Sequence, residues 1–243
     1  VASLHTGTQE SHPTIDLRPV VHLTGQVVLG LGVLMIVPAV VDALLGDPNA
    51  DDMATAAGIT VLSGLGLALA TGSQRGRGLD TRQAFLLTLS VWFSLSAFGA
   101  LPFVLGAPGL GWLDALFESV SGITTTGATV IVGLDNLPAG MNLWRGMLNW
   151  TGGLGIAFVA MIFLPVMRIG GMQFFRTEGF DTLGKVMPRA TDIAAALVRI
   201  YVALTVWCLL AYLAIGMPPL NATVNALATI ATGGFSPADS SFV

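Results

Sequence analysis

Five uninterrupted apolar runs constrain this chain more than any other feature: Val20 to Leu45, Met53 to Thr71, Ala84 to Gly106, Gly146 to Met167 and Ile193 to Met217. A bilayer core about 30 Å thick is crossed by roughly 20 apolar helical residues, so each run is long enough to span it. Within the runs only Asp42, near the end of the first, and Arg199, near the start of the last, stand as evident boundary charges. Charged residues make up 10% of the 243-residue chain, where soluble domains carry about 25%, and a soluble globule is thereby excluded. The ten Lys and Arg are scattered, so no basic stripe offers itself to nucleic acid, and the single Cys208 excludes an intrachain disulfide. The expected fold class is an all-α polytopic membrane protein.

Charge placement orients the spans. Arg18, then Arg75, Arg77 and Arg82, then Arg168, Arg176, Lys185 and Arg189 mark three connecting segments as cytoplasmic. Segments 46–52 and 106–142 carry Asp47, Asp51, Asp52, Asp114, Glu118 and Asp135 without a cation and are expected outside, with Arg145 the lone exception. If the third run ends outside and the fourth begins outside, whatever lies between them enters and leaves on one side. That segment is re-entrant or superficial.

It holds a stretch too short to span, Gly111 to Ser121, with Leu113, Leu116, Phe117 and Val120 at helical spacing. Directly after it, Gly122-Ile-Thr-Thr-Thr-Gly-Ala-Thr129 has a β-branched run that resists helix and a Gly127 free to adopt backbone angles closed to other residues. Irregular backbone at membrane depth persists only where it is buried in protein or lines a water-filled cavity. The segment recurs without a gap at an offset of 107 residues, Leu113 to Thr129 lying over Leu220 to Ser236, with identities at Leu113/Leu220, Ala115/Ala222, Ile123/Ile230, Thr125/Thr232 and Gly127/Gly234. Polar positions match too, Asp114 with Asn221 and Glu118 with Asn225. The repeated unit is span, half-helix, extended loop.

A half-helix entering from outside turns its C-terminal end, with about half a negative charge, toward the membrane centre, where it attracts cations. The loop beyond offers successive backbone carbonyls in place of a hydration shell. Neutral oxygens suit a weakly hydrated monovalent ion, and neither loop carries a carboxylate of the kind a divalent site needs. Asp114 and Glu118, four apart on one helix face, read either as an outer vestibule for cations or as ordinary charge near a helix N-terminus. Gly152, Gly153 and Gly155 lie inside an apolar run with no preceding strand, so close helix packing explains them better than a phosphate loop. The polar stretch 1–16, with His5 and His12, reads as a tail.

Taken together, Ser121-Gly-Ile-Thr-Thr-Thr-Gly-Ala-Thr-Val130, Asn149-Trp-Thr-Gly-Gly-Leu-Gly155, Gly170-Gly-Met-Gln173 with Arg176-Thr-Glu178, and Thr232-Gly-Gly-Phe-Ser236 resemble the Trk/Ktr/HKT potassium transporter superfamily, most of all its bacterial TrkH type. The resemblance implies two N-terminal helices followed by helix-pore loop-helix repeats of a pseudo-fourfold cation channel. One repeat here is complete and a second incomplete. It divides the chain into a tail (1–19), two transmembrane helices (20–78), a first repeat (79–168), a cytoplasmic linker (169–189) and the start of a second repeat (190–243). The implied selectivity filter is Thr124, Thr125, Thr126 and Gly127 in the first loop and Ala231, Thr232, Gly233 and Gly234 in the second, with K⁺ as transported ion and no resident cofactor. In plant relatives a Ser at the first key glycine accompanies sodium transport; here that residue is Gly127, so potassium is expected. The resemblance further implies a lipid-embedded homodimer in a bacterial inner membrane, a cytosolic nucleotide-binding regulatory subunit, and no enzymatic activity. A secondary transporter with broken helices and an alternating-access site is the alternative; a membrane-embedded enzyme lacks any catalytic constellation within the spans.

Overall fold

The computed structural model describes residues 15–72, 79–167 and 190–240, with side chains for all of these except 160–167 and 190–191. The motifs Gly170–Gln173 and Arg176–Glu178, the cations Arg75, Arg77, Arg168, Lys185 and Arg189, the linker 169–189 and the two tail histidines lie outside the described residues. Within them the chain is helical, without strands: α1 (Arg18–Leu45), α2 (Asn49–Ala70), α3 (Thr81–Gly99), α4 (Leu101–Leu105), α5 (Trp112–Ile123), α6 (Ala139–Met167), α7 (Ala190–Ala214) and α8 (Pro219–Ile230). Four stretches, Arg18–Leu45, Asn49–Ala70, Thr81–Leu105 and Asp192–Ala214, are long and apolar enough to cross a membrane. The fourth apolar run falls in α6, 29 residues long.

Local chemistry sets the helix ends. α1 closes on Gly46, whose left-handed backbone (φ 71°) returns its N–H to Ala43 O. At the start of α3 the Asp80 carboxylate accepts from Thr81 N at 2.8 Å while Gln83 Oε1 accepts from Asp80 N at 2.9 Å, a capping box. α1 and α2 form a hairpin whose backbones come close because small residues face each other: a Cβ on Gly25 would meet Ala68 N at 2.6 Å, and one on Gly32 would meet Val61 N at 2.7 Å. Lipid provides no hydrophobic force between helices, so such close contact is what holds the pair.

Asp42 is more than a boundary charge. It is fully buried, and its two oxygens accept from Gly140 N at 2.5 Å and from Asn49 Nδ2 at 2.7 Å. One carboxylate thus caps the first turn of α6 and ties it to the α1–α2 turn, which is favourable because the helix N-terminus carries positive dipole charge. Asn49 Oδ1 in turn accepts from Ala107 N at 2.8 Å, so the chain entering α5 is fixed by the same cluster.

The core lies where α1, α2 and α4 meet α5, α6 and α8, with Met35, Met53, Phe103, Ile123, Trp144, Leu148 and Val224 fully or almost fully buried. Trp144 Nε1 donates to Gly99 O at 3.1 Å, fastening α6 to the end of α3. The face that α5 turns inward is not its apolar stripe. Leu113, Phe117 and Val120 stay exposed while Ala115, Glu118, Ser119 and Gly122 are buried. In a membrane the outward side of a helix meets lipid or further protein, and polar groups are the ones that need an interior.

Candidate ion-binding site

The two half-helices end in the same way, bond for bond. In α5, Thr124 N donates to Val120 O, Thr125 N to Gly122 O and Thr126 N to Ser121 O. In α8, Ala231 N donates to Leu227 O, Thr232 N to Thr229 O and Gly233 N to Ala228 O, each pair displaced by the same interval. The six-to-one and five-to-two bonds are a Schellman ending, in which the residue after the C-cap goes left-handed. Here that residue is threonine both times, Thr125 with φ 56° and Thr232 with φ 54°; among the described residues these are the two non-glycine positions of positive φ. A β-branched residue in this region is strained by about 1–3 kcal/mol, and such strain persists only where the surroundings over-determine the loop.

The loops converge. A Cβ on Gly127 (φ 77°) would meet Gly234 N at 2.5 Å and Gly234 C at 2.9 Å, and one on Gly234 would meet Gly127 Cα at 3.1 Å. Among the described residues, no hydrogen bond is accepted by the carbonyls of Thr124, Thr125, Thr126 and Gly127, or of Ala231, Thr232, Gly233 and Gly234. Just beyond them the carbonyls are engaged: Ala128 O accepts from Ser121 Oγ at 2.5 Å, Ser236 O from Arg145 Nη1 at 2.8 Å and Pro237 O from Asn142 Nδ2 at 3.4 Å. The two loops therefore meet at Gly127 and Gly234, and the peptide oxygens of all eight candidate residues are unused among the described residues. Thr124 and Thr126 share a hydroxyl–hydroxyl bond of 2.8 Å, for which the second loop, with Ala231, has no equivalent.

α6 packs against the ends of both half-helices. Gly152 packs its Cα against Ile123 O, and a Cβ on Gly153 would meet Tyr201 Oη at 2.7 Å and Ala231 Cα at 3.0 Å. Close packing accounts for these two glycines; Gly155 faces open space, so it has no such role within the described residues. Buried Asn149, with its amide turned to satisfy both partners, donates to Gly122 O at 2.8 Å and accepts from Phe235 N at 3.2 Å, joining the end of the first half-helix to the second loop. α7 is fastened by Trp150 Nε1 to Thr205 Oγ1 at 2.9 Å and by Tyr201 Oη to Trp150 O at 3.0 Å.

Glu118 is neither a vestibule charge nor an exposed N-terminal one. It is fully buried and accepts from Val130 N at 2.6 Å, Ile131 N at 3.2 Å and the Thr129 hydroxyl, while Asp114 remains exposed in the first turn of α5. Arg145, likewise buried, is the reason a cation stands in a segment otherwise free of them: its Nε lies 3.8 Å from Glu118 Oε2. Asp239 pins the outer chain, accepting from Gly133 N at 3.0 Å and Leu134 N at 3.2 Å. Sequence reasoning gave Asn149 and Arg145 no role in the site and did not foresee the left-handed backbone of Thr125 and Thr232. A cation directly before the fourth apolar run, in a segment expected outside, was the available signal for Arg145.

Comparison with known proteins places most of the chain in one family. The family model described as TrkH, cation transport protein, matches residues 52–243. The Trk system potassium uptake protein TrkI of Halomonas elongata is 40% identical over 227 residues, covering 92% of this chain and 45% of that protein. The Trk system potassium uptake protein TrkH of Salmonella typhimurium is 40% identical over 237 residues, covering 93% and 47%. The crystal structure of the potassium transporter TrkH from Vibrio parahaemolyticus superposes with a TM-score of 0.82 at 35% identity, covering 94% of this chain and 46% of that one. The chain spans about half the length of the relatives it matches.

Proposed function

This chain belongs to the TrkH family of cation transport proteins, and from that premise we propose that it forms the first part of an ion-conducting subunit for potassium uptake. K⁺ sheds water against the carbonyls of Thr124, Thr125, Thr126 and Gly127 and of Ala231, Thr232, Gly233 and Gly234, and passes down the electrical potential. The observation that carries this reading is the backbone contact of Gly127 with Gly234, beside two runs of peptide oxygens that accept no hydrogen bond. Several neutral oxygens offset dehydration of a monovalent cation without holding it too tightly to leave. The C-terminal ends of α5 and α8 add negative dipole charge at the same place.

In this reading residues 20–78 are an added helix pair, 79–168 a complete pore repeat, 169–189 a cytoplasmic linker and 190–243 the beginning of a second repeat. The remaining repeats belong to the length that the relatives have beyond this chain. The loops open to the outside of a bacterial inner membrane, and the assembly is a homodimer with a cytosolic nucleotide-binding regulator. The subunit conducts and performs no bond chemistry.

The test is Gly127→Ser in a protein completed to the length of its relatives, reconstituted in vesicles and assayed for K⁺ against Na⁺ uptake. Loss of discrimination supports the filter assignment. Unaltered discrimination overturns it.

A further inference from the structure

The filter reading leaves a buried charge pair unexplained. Glu118 and Arg145 are both fully buried, and removing two charges from water typically costs several kcal/mol per ion, so apolar residues of similar size would serve stability as well or better. Their partners point to another role. Glu118 Oε1 receives three donors, all from the chain just past the first loop: the Thr129 hydroxyl, Val130 N and Ile131 N. Arg145 Nη1 donates to Ser236 O at 2.8 Å and to Asn142 Oδ1 at 3.3 Å, Nη2 donates to Thr129 Oγ1 at 3.3 Å, and the guanidinium carbon sits 4.4 Å from the centre of the Phe235 ring.

Thr129 and Ser236 are equivalent positions of the two repeats, each two residues past its key glycine. A single guanidinium therefore grips both loops at the same level. The hydroxyl of Thr129 links the charges, donating to Glu118 and accepting from Arg145. At the position equivalent to Glu118 the second repeat has no carboxylate: Asn225 stands there, and its amide is turned to Met217 Sδ at 3.3 Å, while Asp239 of that repeat is engaged by Gly133 N and Leu134 N. The second loop is held by Asn142, Arg145 and Asn149, all borne by α6.

We propose that Glu118 and Arg145 are one positioning pair that fixes the spacing of the two loops and thereby sets discrimination between K⁺ and smaller cations; this rests on the filter reading above. Neither side chain touches the ion. Arginine suits the task because its planar fork reaches several acceptors in fixed relative directions, which a lysine ammonium does not. Glu118 Oε2 and Arg145 Nε have no hydrogen-bond partner among the described residues, so what orients each charge is its contacts to the loops and to Asn142.

The experiment compares Arg145→Lys, Glu118→Gln and the double variant Glu118→Gln/Arg145→Met in a protein completed to full length, each in vesicles, reading the ratio of K⁺ to Na⁺ uptake separately from the K⁺ rate. Arg145→Lys keeps the charge and loses the fork. It is expected to lower the ratio by about fivefold or more, the scale of one lost positioning hydrogen bond, and Glu118→Gln likewise. The double variant leaves no unpaired buried charge, so it accumulates even if a single variant fails to fold, and it is expected to conduct K⁺ with the same loss of discrimination. A wild-type ratio in Arg145→Lys, or in the double variant, overturns the positioning role. Gly127→Ser is measured alongside: if it alone lowers the ratio, the pair proposal fails and the filter stands, and if it too leaves the ratio intact, both fail.

Discussion

Gly127 and Gly234 lie backbone against backbone, but not symmetrically. Gly127 adopts φ 77° and its missing Cβ would stand 2.5 Å from Gly234 N, whereas a Cβ on Gly234 would find its nearest neighbour, Gly127 Cα, at 3.1 Å. Serine at 127 must therefore displace the opposite main chain and accept a left-handed backbone, while serine at 234 needs only a few tenths of an ångström. Measured as K⁺/Na⁺ uptake ratios in the completed protein, Gly127→Ser is expected to lose more discrimination than Gly234→Ser. The reverse order would contradict the packing described.

The strained threonines make a second expectation. Replacing Thr125 or Thr232 by glycine removes strain of about 1–3 kcal/mol while freeing the loop. Thermal unfolding in detergent should show no loss of stability, and selectivity should fall. A variant that is both less stable and equally selective would mean that the threonine side chains, and not their backbone angles, are what matters.

Asn149→Leu should behave oppositely. It removes the side chain that joins Gly122 O to Phe235 N; Gly122 O keeps Thr125 N, but buried Phe235 N is left without a partner, at a cost of about 1–3 kcal/mol. Expression and melting temperature should both drop, and limited proteolysis should open the chain near the second loop first.

Asp42 bonds to Asn49 and Gly140 and to no residue of either loop among the described residues, which makes it a control for fold against function. Asp42→Ala strips the cap from α6 and a partner from Asn49, a loss of roughly 2 kcal/mol or more for charge-assisted bonds. The melting temperature should fall while any surviving protein keeps its K⁺/Na⁺ ratio.

The spans and the repeated half-helix were legible because both are written in short-range patterns: apolar runs, and a segment laid over itself from Leu113 to Ser236. The contacts that join the repeats were not. Arg145 reaches Ser236, 91 positions away, and Asp42 reaches Gly140 across 98, and nothing in a linear pattern brings such residues together. The left-handed turn of each half-helix was also hidden. Gly127 does turn left-handed, but so does Thr125, the residue after the C-cap of α5, against its intrinsic preference. For α5 the apolar stripe was visible, but its direction was not, because in lipid an apolar face carries no obligation to turn inward.

The most direct test of the account is to locate the ion. A structure of the completed protein in a rubidium or thallium salt should show the cation's anomalous peak between the loops, surrounded by main-chain oxygens of residues 124–127 and 231–234. A peak coordinated instead by the carboxylates of Glu118 or Asp239, with the space beside Gly127 and Gly234 empty, would contradict it.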